Sequence, residues 1–371
     1  MTSTSELPAA AAIDTPALVV DLDAMERNIA LLARYASERG VRLRPHAKTH
    51  KSAWIASRQV AAGAVGVCVQ KTSEAEALVA AGVADIFITN EVIDSAKLAR
   101  VAALARRCTL AIAVDSALGI ERLAAAVHAA QSALAVLVEI DVGHGRCGAV
   151  PQQAGALARA VVDAGLRFTG LQAYQGRAQH LRSGSERAAA IAHAAVCVRQ
   201  AQAAITAAGL ACPLVTGAGT GTFVHEAASG LWGELQAGSY VFMDADYASN
   251  AAAPGELRFE HALFIKTQVI SRSRDQAVVD AGHKSHAIDS GLPRVWGRDD
   301  LEFFNAGDEH GLLRRRSSGA VLPGLGETVW LVPGHCDPTV NLHDSLLGVR
   351  GGLESGTVER VICVDARGCL A

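Results

Sequence analysis

From about residue 17 onward, short apolar runs alternate with longer stretches in which apolar residues recur every three or four positions. Residues 17–22 read as a strand, and 23–39 as a helix carrying Met25, Ile29, Leu32 and Ala33 on one stripe. Short apolar runs then fall at 41–46, 65–70, 85–90, 109–115, 133–141, 168–174, 213–217 and 234–238, mostly separated by alanine-rich helical patterns. Eight such units in roughly 200 residues predict an α/β fold built on a (β/α)8 barrel, with functional groups at the C-terminal ends of the strands and in the loops that follow. An open, doubly wound sheet is the competing arrangement. From about residue 256 the texture changes. Runs at 263–270, 277–280, 301–305, 328–333 and 358–364 read as strands, separated by turn signals such as Pro323, Gly324, Gly326, Gly351 and Gly352. The expected organisation is a tail at 1–14, a barrel at 15–255 and a mostly β domain at 256–371, with the early strand 17–22 joining the β domain.

Composition narrows the partners. The 371 residues are half hydrophobic yet only 4% aromatic, so the core must be built from Ala, Val and Leu. A net charge of −3 gives no electrostatic case for nucleic acid or a membrane surface and leaves a small molecule as the expected partner. The eight cysteines form no Cys-x-x-Cys pair, which fits a reducing, cytoplasmic setting. No signal peptide is expected, because no basic region precedes an apolar stretch. Polar residues interrupt the alanine-rich runs near 123–138 and 188–198, so no transmembrane span is predicted.

Candidate chemistry collects at the predicted strand ends: Lys48, Gln70, Asn90, Asp115, Asp141, Tyr174 and the loop 217–222. Lys48 lies among Arg44, His46, His50 and Lys51. A lysine attacks a carbonyl only as the neutral amine, and neighbouring positive charge would lower its pKa; the alternative is a solvated basic loop. Gly217, Ala218, Gly219, Thr220, Gly221 and Thr222 offer closely spaced backbone N–H groups and two hydroxyls able to cradle a phosphate, although a plain glycine turn would look the same. The loop is neither a dinucleotide fingerprint nor a P-loop. A reactive lysine and a phosphate cradle together suggest pyridoxal 5′-phosphate. In the segment 333–341, His335 and Asp337 would share a face of an extended chain and suit one divalent cation, Mn²⁺ or Mg²⁺, although a structural hydrogen bond would also explain His335.

These segments resemble the D-threonine aldolase family, including the 3-hydroxy-D-aspartate aldolases, among pyridoxal-phosphate enzymes of the alanine racemase type. The resemblance runs from Thr15 over nearly the whole chain. It rests on RPHAKTHK (44–51), GVCVQKTSEAEA (66–77), ITNEV (88–92), VEIDVGHGRCG (138–148), GLQAYQG (170–176), GAGTGT (217–222), ELQAGSYVFMDADY (234–247), VVDAGHK (278–284), DEHG (308–311) and PGHCDPTVNLHD (333–344). It implies that Lys48 bonds to the cofactor and that Arg146 approaches its phenolic oxygen. Tyr174, Thr220, Gly221 and Thr222 would line the phosphate end, with Tyr240 on the side of the ring nitrogen. Gln70, Asn90 and Asp308 would belong to the pocket, and His335 and Asp337 would hold the metal. The implied reaction cleaves the Cα–Cβ bond of a D-3-hydroxy amino acid to glycine and an aldehyde, with His180 or a metal-held water removing the hydroxyl proton. The implied assembly is a homodimer in which each β domain closes the partner's barrel mouth.

Two other readings share the cofactor: a dehydratase releasing ammonia, and a non-catalytic carrier, a class usually built as a barrel alone. Three departures stand out. Ala218 replaces a family glycine and is expected to keep an ordinary φ or to distort the cradle, and His283 replaces an apolar residue. Asp337 stands where the related D-serine dehydratases place a cysteine, which favours carbon–carbon cleavage. His283, His50, Arg177, Arg294 and Arg298 are candidates to meet a substrate's second carboxylate.

Overall fold

The computed structural model describes residues 8–252 and 257–371; the expected domain boundary at 255/256 and the first half of the tail lie outside the described residues. In chain order, β1 (Ala17–Asp21) and α1 (Leu22–Glu38) precede the barrel units: β2 (Arg42–Leu43), α2 (Ala53–Ala61), β3 (Val67–Val69), α3 (Thr72–Ala80), β4 (Asp85–Ile88) and α4 (Ser95–Leu104). These continue with β5 (Thr109–Val114), α5 (Ala117–Ala129), β6 (Ala135–Glu139), α6 (Ala154–Asp163), β7 (Arg167–Ala173), α7 (Gly184–Ala207), β8 (Val215–Gly217), α8 (Phe223–Ala228), β9 (Glu234–Leu235) and α9 (Ala245–Ala248). The C-terminal part holds β10 (Leu263–Arg272), β11 (Gln276–Val279), β12 (Arg294–Val295), β13 (Leu301–Asn305), β14 (Gly311–Arg315) and β15 (Thr328–Val332), then α10 (Cys336–Val340), β16 (Ser345–Arg350) and β17 (Thr357–Cys363).

Strands β2 to β9 form one parallel sheet in the order β2-β9-β8-β7-β6-β5-β4-β3. Its ends meet at a parallel bridge between His46 and Cys68, reinforced by Cys68 N donating to Pro45 O at 2.9 Å. That closure selects the barrel over the open sheet. Alternation along each strand sorts the residues. Val67, Val69, Ile86, Ile88, Val136 and Val138 face the helices, whereas Cys68, Phe87, Ala113 and Leu137 cluster separately. The other side of the barrel is polar. Arg44 Nη1 pairs with Asp85 at 2.5 Å and its Nε with Glu234 at 3.2 Å. Glu234 accepts from Thr216 at 2.9 Å, Thr216 accepts from Gln236 at 2.8 Å, and Gln236 meets Gln172 at 2.8 Å.

The second sheet runs β13-β14-β11-β10-β1-β16-β17, with β15 pairing β10 and β12. The first strand of the chain thus lies inside the C-terminal sheet, antiparallel to β10 and parallel to β16. The short strands β12, β14 and β16 were not predicted. One apolar core, containing Leu22, Met25, Ile29 and Leu32 of α1, Leu43 and Leu235 of the barrel, and Ile265, Leu331 and Leu346 of the sheet, fuses the two parts. All eight cysteines are free thiols, and among the described residues no helix is long and apolar enough to cross a membrane.

Lys266 is buried, and its Nζ donates to the carbonyls of Ala10, Ala11 and Ile13 at 3.0, 2.8 and 2.7 Å. Lys266→Met should leave those carbonyls short of donors and cost about 1–3 kcal/mol. Urea unfolding should show a lower midpoint, and limited proteolysis should show faster cleavage near residues 10–14.

Candidate active site

Pro45 ends pairing after β2, and the chain turns through the short 3-10 segment Ala47–Thr49, which places Lys48 above the barrel. Lys48 Nζ lies 2.6 Å from Asp337 Oδ2, an ion pair between the barrel and the β domain. Burial opposes the charge on the amine, but the Asp337 carboxylate outweighs it and holds the Lys48 pKa above its ordinary value. The expected cationic neighbours do not act on the amine as the sequence suggested. Arg44 is spent on Asp85 and Glu234, and Lys51 on Glu74 at 3.0 Å. Burial keeps His46 and His50 neutral, the latter at about 4. The basic run is therefore neutralised piece by piece, and Lys48 is an ammonium that must lose a proton before attacking a carbonyl.

Around Lys48 opens a cavity of about 330 Å³. One wall is a bonded network: Gln70 Nε2 lies 3.0 Å from both His46 Nε2 and Thr89 Oγ1, and Asn90 Nδ2 donates to Gln70 O at 3.0 Å. Tyr174, Arg146, Gln172 and Gln236 also line it, the last two being the upper end of the barrel's polar chain. Lys71, Cys147, Ser239 and Tyr247 line it as well. None of these four, nor Gln172 or Gln236, stood out in the sequence, although all lie in or next to the motifs quoted above.

The loop after β8 edges the cavity through Ala218, Gly219 and Thr220. Ala218 adopts φ +71°, so it takes the left-handed conformation of the glycine it replaces instead of an ordinary φ. Gly219 leaves no room for a Cβ against the Gln179 side chain. Gln179 also occupies the loop's far side: its Oε1 accepts from Gly221 N at 2.9 Å and its Nε2 donates to Thr222 Oγ1 at 2.7 Å. Thr222 in turn donates to Glu226 at 2.8 Å. Gly221 N–H and the Thr222 hydroxyl are thus committed to holding the loop. Tyr240 departs from its expected place beside the cofactor ring. Its own ring is fully buried 5.4 Å from Phe259 and its hydroxyl accepts from Gln59 at 3.1 Å. Only its backbone N–H serves the loop, donating to Thr220 Oγ1 at 3.0 Å.

Two strand-end carboxylates shape the rim. Asp141 Oδ1 accepts from Gly143 N and Gly145 N at 2.9 and 3.0 Å, and Asp115 Oδ2 accepts from Gly148 N at 3.1 Å, so both brace the loop that carries Arg146. Under that loop, burial and then the adjacent Glu91 push Glu139 up to about 9. His180 stands outside the cavity lining, its ring 5.7 Å from that of Tyr247. Asp308 is exposed on the turn between β13 and β14 and does not line the cavity of its own chain. Nor do His283, His50, Arg177, Arg294 or Arg298; the cations that line it are Lys48, Lys71 and Arg146.

His335 precedes α10 and Asp337 lies in its first turn. His335 Nδ1 is held by Asp289 Oδ2 at 2.8 Å, which leaves Nε2 facing Asp337 Oδ1 at 3.9 Å. That Asp337 oxygen is buried and has no hydrogen-bond partner. An oriented imidazole nitrogen beside an orphaned carboxylate oxygen suits a divalent cation. Among the described residues no group of three or more His, Cys, Asp or Glu side chains is placed to hold a metal, so His335 and Asp337 stand as a pair. An amine, a glycine-edged loop and polar walls around one cavity likewise suit pyridoxal phosphate.

The chain matches the family described as alanine racemase, N-terminal domain, over residues 20–246, and a putative serine dehydratase domain over 262–349. It is 45% identical to a 3-hydroxy-D-aspartate aldolase from Paracoccus denitrificans (strain Pd 1222), covering 96% of this chain and 92% of that protein. It is 44% identical to a D-threonine aldolase from Arthrobacter sp., covering 96% and 94%. The crystal structure of D-threonine aldolase from Filomicrobium marinum superposes with a TM-score of 0.95 at 49% identity, covering all of both chains.

Two stability predictions follow from these surroundings. Ala218→Gly should relieve the left-handed alanine and raise the urea midpoint by an amount equivalent to about 1 kcal/mol. Glu139 keeps in the folded state a proton that the unfolded chain loses near its ordinary 4.5, so its contribution is fully present below that value and is lost as pH rises towards about 9. Unfolding midpoints measured across that window should fall less steeply for Glu139→Gln than for the unmodified chain.

Proposed function

Because the chain belongs to the alanine racemase N-terminal domain family and groups there with D-threonine and 3-hydroxy-D-aspartate aldolases, we propose that it is a carbon–carbon lyase dependent on pyridoxal phosphate and a divalent metal. It cleaves D-3-hydroxy amino acids to glycine and an aldehyde, acetaldehyde from D-threonine or glyoxylate from 3-hydroxy-D-aspartate. The observation that carries this reading is the 2.6 Å approach of Lys48 to Asp337, which sets an amine suited to the cofactor beside a His/Asp pair suited to the cation.

Lys48 would hold the cofactor, and Ala218, Gly219 and Thr220 would border its phosphate, with Gly221 and Thr222 keeping the loop in shape. Tyr174, Gln70 and Asn90 form the walls, and Arg146, which lines the same cavity, would meet the phenolic oxygen. His335 and Asp337 would hold the cation, Mn²⁺ or Mg²⁺, since the pair offers one nitrogen and one hard oxygen and no thiolate. When bound, the cofactor supplies an electron sink for the carbon beside the amine and the metal a Lewis acid for the neighbouring hydroxyl. His180, beside Tyr247 of the cavity lining, would receive the hydroxyl proton. The working unit is a homodimer, in which the exposed turn carrying Asp308 would face the partner's cavity mouth.

Purified protein supplied with pyridoxal phosphate and Mn²⁺ should form glycine from D-threonine or D-3-hydroxyaspartate, and EDTA should abolish the reaction. Ammonia with a 2-oxo acid would make the protein a dehydratase instead, and no turnover of either substrate would leave a cofactor carrier. Lys48→Ala should remove both turnover and the cofactor's visible absorbance after desalting. Asp337→Ala should keep that absorbance while lowering turnover at least roughly a hundredfold.

A further inference from the structure

His180 closes the short turn Arg177–His180 that follows β7, and its Nδ1 lies 2.6 Å from Asp246 Oδ2. The Asp246 side chain is 5% exposed and that of His180 48%, so a buried carboxylate anchors a half-exposed ring. The carboxylate cannot swing away. Its Oδ1 is paired with Arg182, whose Nη1 also donates to Asp246 O at 2.7 Å and Asn250 Oδ1 at 2.8 Å. An ionised carboxylate only accepts, so the bond puts a hydrogen on Nδ1, and in the neutral tautomer this selects, the lone pair sits on Nε2.

The helix that carries Asp246 also grips the metal-binding segment. Ala245 N and Asp246 N donate to Pro333 O and Gly334 O at 3.0 and 3.1 Å, and Cys336 N donates to Asp244 Oδ2 at 3.0 Å. Asp244 Oδ1 meanwhile caps α9 at Tyr247 N, 2.9 Å away, and Tyr247 lines the cavity. Four residues therefore tie together the imidazole, the segment bearing His335 and Asp337, and one cavity wall.

We propose that Asp246 is a positioning residue for the reaction. It fixes the His180 tautomer so that Nε2 is the proton acceptor, and its negative charge offsets the positive charge the ring gains. Through α9 it also sets the ring's place relative to His335 and Asp337. In the step concerned, the hydroxyl proton passes to Nε2, the O–H electron pair becomes the second carbonyl bond of the aldehyde, and the Cα–Cβ pair passes to Cα. The inference rests on the lyase reading and on His180 as its base.

The test is a double-mutant cycle in the loaded enzyme with whichever substrate it cleaves. Asp246→Asn should lower kcat roughly a hundredfold or more through the wrong tautomer while leaving KM within about threefold. His180→Ala should lower kcat at least as far. Adding Asp246→Asn to His180→Ala should then cost less than about threefold, because both remove the same function. Asp246→Glu, which restores a carboxylate, should recover at least about tenfold over Asp246→Asn. Thermal melts and cofactor absorbance check that the variants are folded. Equal losses from Asp246→Asn in both backgrounds would reduce Asp246 to a structural role and overturn the proposal, as would unchanged kcat in Asp246→Asn. An active unmodified enzyme with unimpaired His180→Ala would overturn it through the base, whereas absence of glycine from the unmodified enzyme would instead sink the lyase reading.

Discussion

The near-burial of the Arg44 side chain constrains everything above it. A guanidinium inside a barrel is tolerable only if it is paired and hydrogen-bonded, and Asp85 and Glu234 supply the charge from β4 and β9, strands of the sheet that closes beside it. Once Glu234 is fixed, Thr216, Gln236 and Gln172 follow in bonded succession to the cavity. One side of the barrel interior is consequently a polar column and the other a small apolar cluster of Cys68, Phe87, Ala113 and Leu137. A column of this kind orients amides at the cavity wall through bonds that begin at the opposite end of the barrel.

The site itself arises where two architectures abut. The barrel contributes strand ends, which are its natural place for chemistry. The β domain contributes a short helix and the turn before it. Neither part alone holds both the amine and the His/Asp pair, and the shared core around α1, β2, β9 and the C-terminal sheet is what fixes their separation. Carboxylates act mainly as brackets here: Asp141 and Asp115 for the Arg146 loop, Asp244 for α9 and the Cys336 amide, and Asp289 for His335.

Much of this was legible from periodicity, because parallel strands buried on both faces leave short apolar runs that helical stripes separate. The eight runs and the eight barrel strands coincide in position. The strands that escaped notice lacked that signal. β14 runs from two leucines straight into arginines, and β16 is interrupted by Gly348, against which Leu22 packs closely. The cavity's chemistry was legible as motifs, but the electrostatics were not. Charges adjacent along 44–51 diverge in space, and the partners that neutralise Arg44, Lys48 and Lys51 lie at 85, 234, 337 and 74. For the same reason Tyr240 could be placed near the cofactor by its motif while its ring turns into the core.

The position of β1 between β10 and β16 has a consequence for how this chain comes into being. As synthesis proceeds from the N-terminus, residues 17–21 emerge early, yet both of their sheet neighbours lie beyond residue 262. An apolar strand with both edges unmatched must therefore wait while some 240 residues are added, and pairings of such long sequence separation are slow to form. The intervening barrel can assemble in the meantime, since each strand from β3 to β8 finds its next neighbour soon after its own helix, and only β2 must wait for β9. Vectorial translation thus leaves β1 without its sheet partners until the C-terminal part has followed, whereas α1 can already pack against β2 and β9 of the barrel.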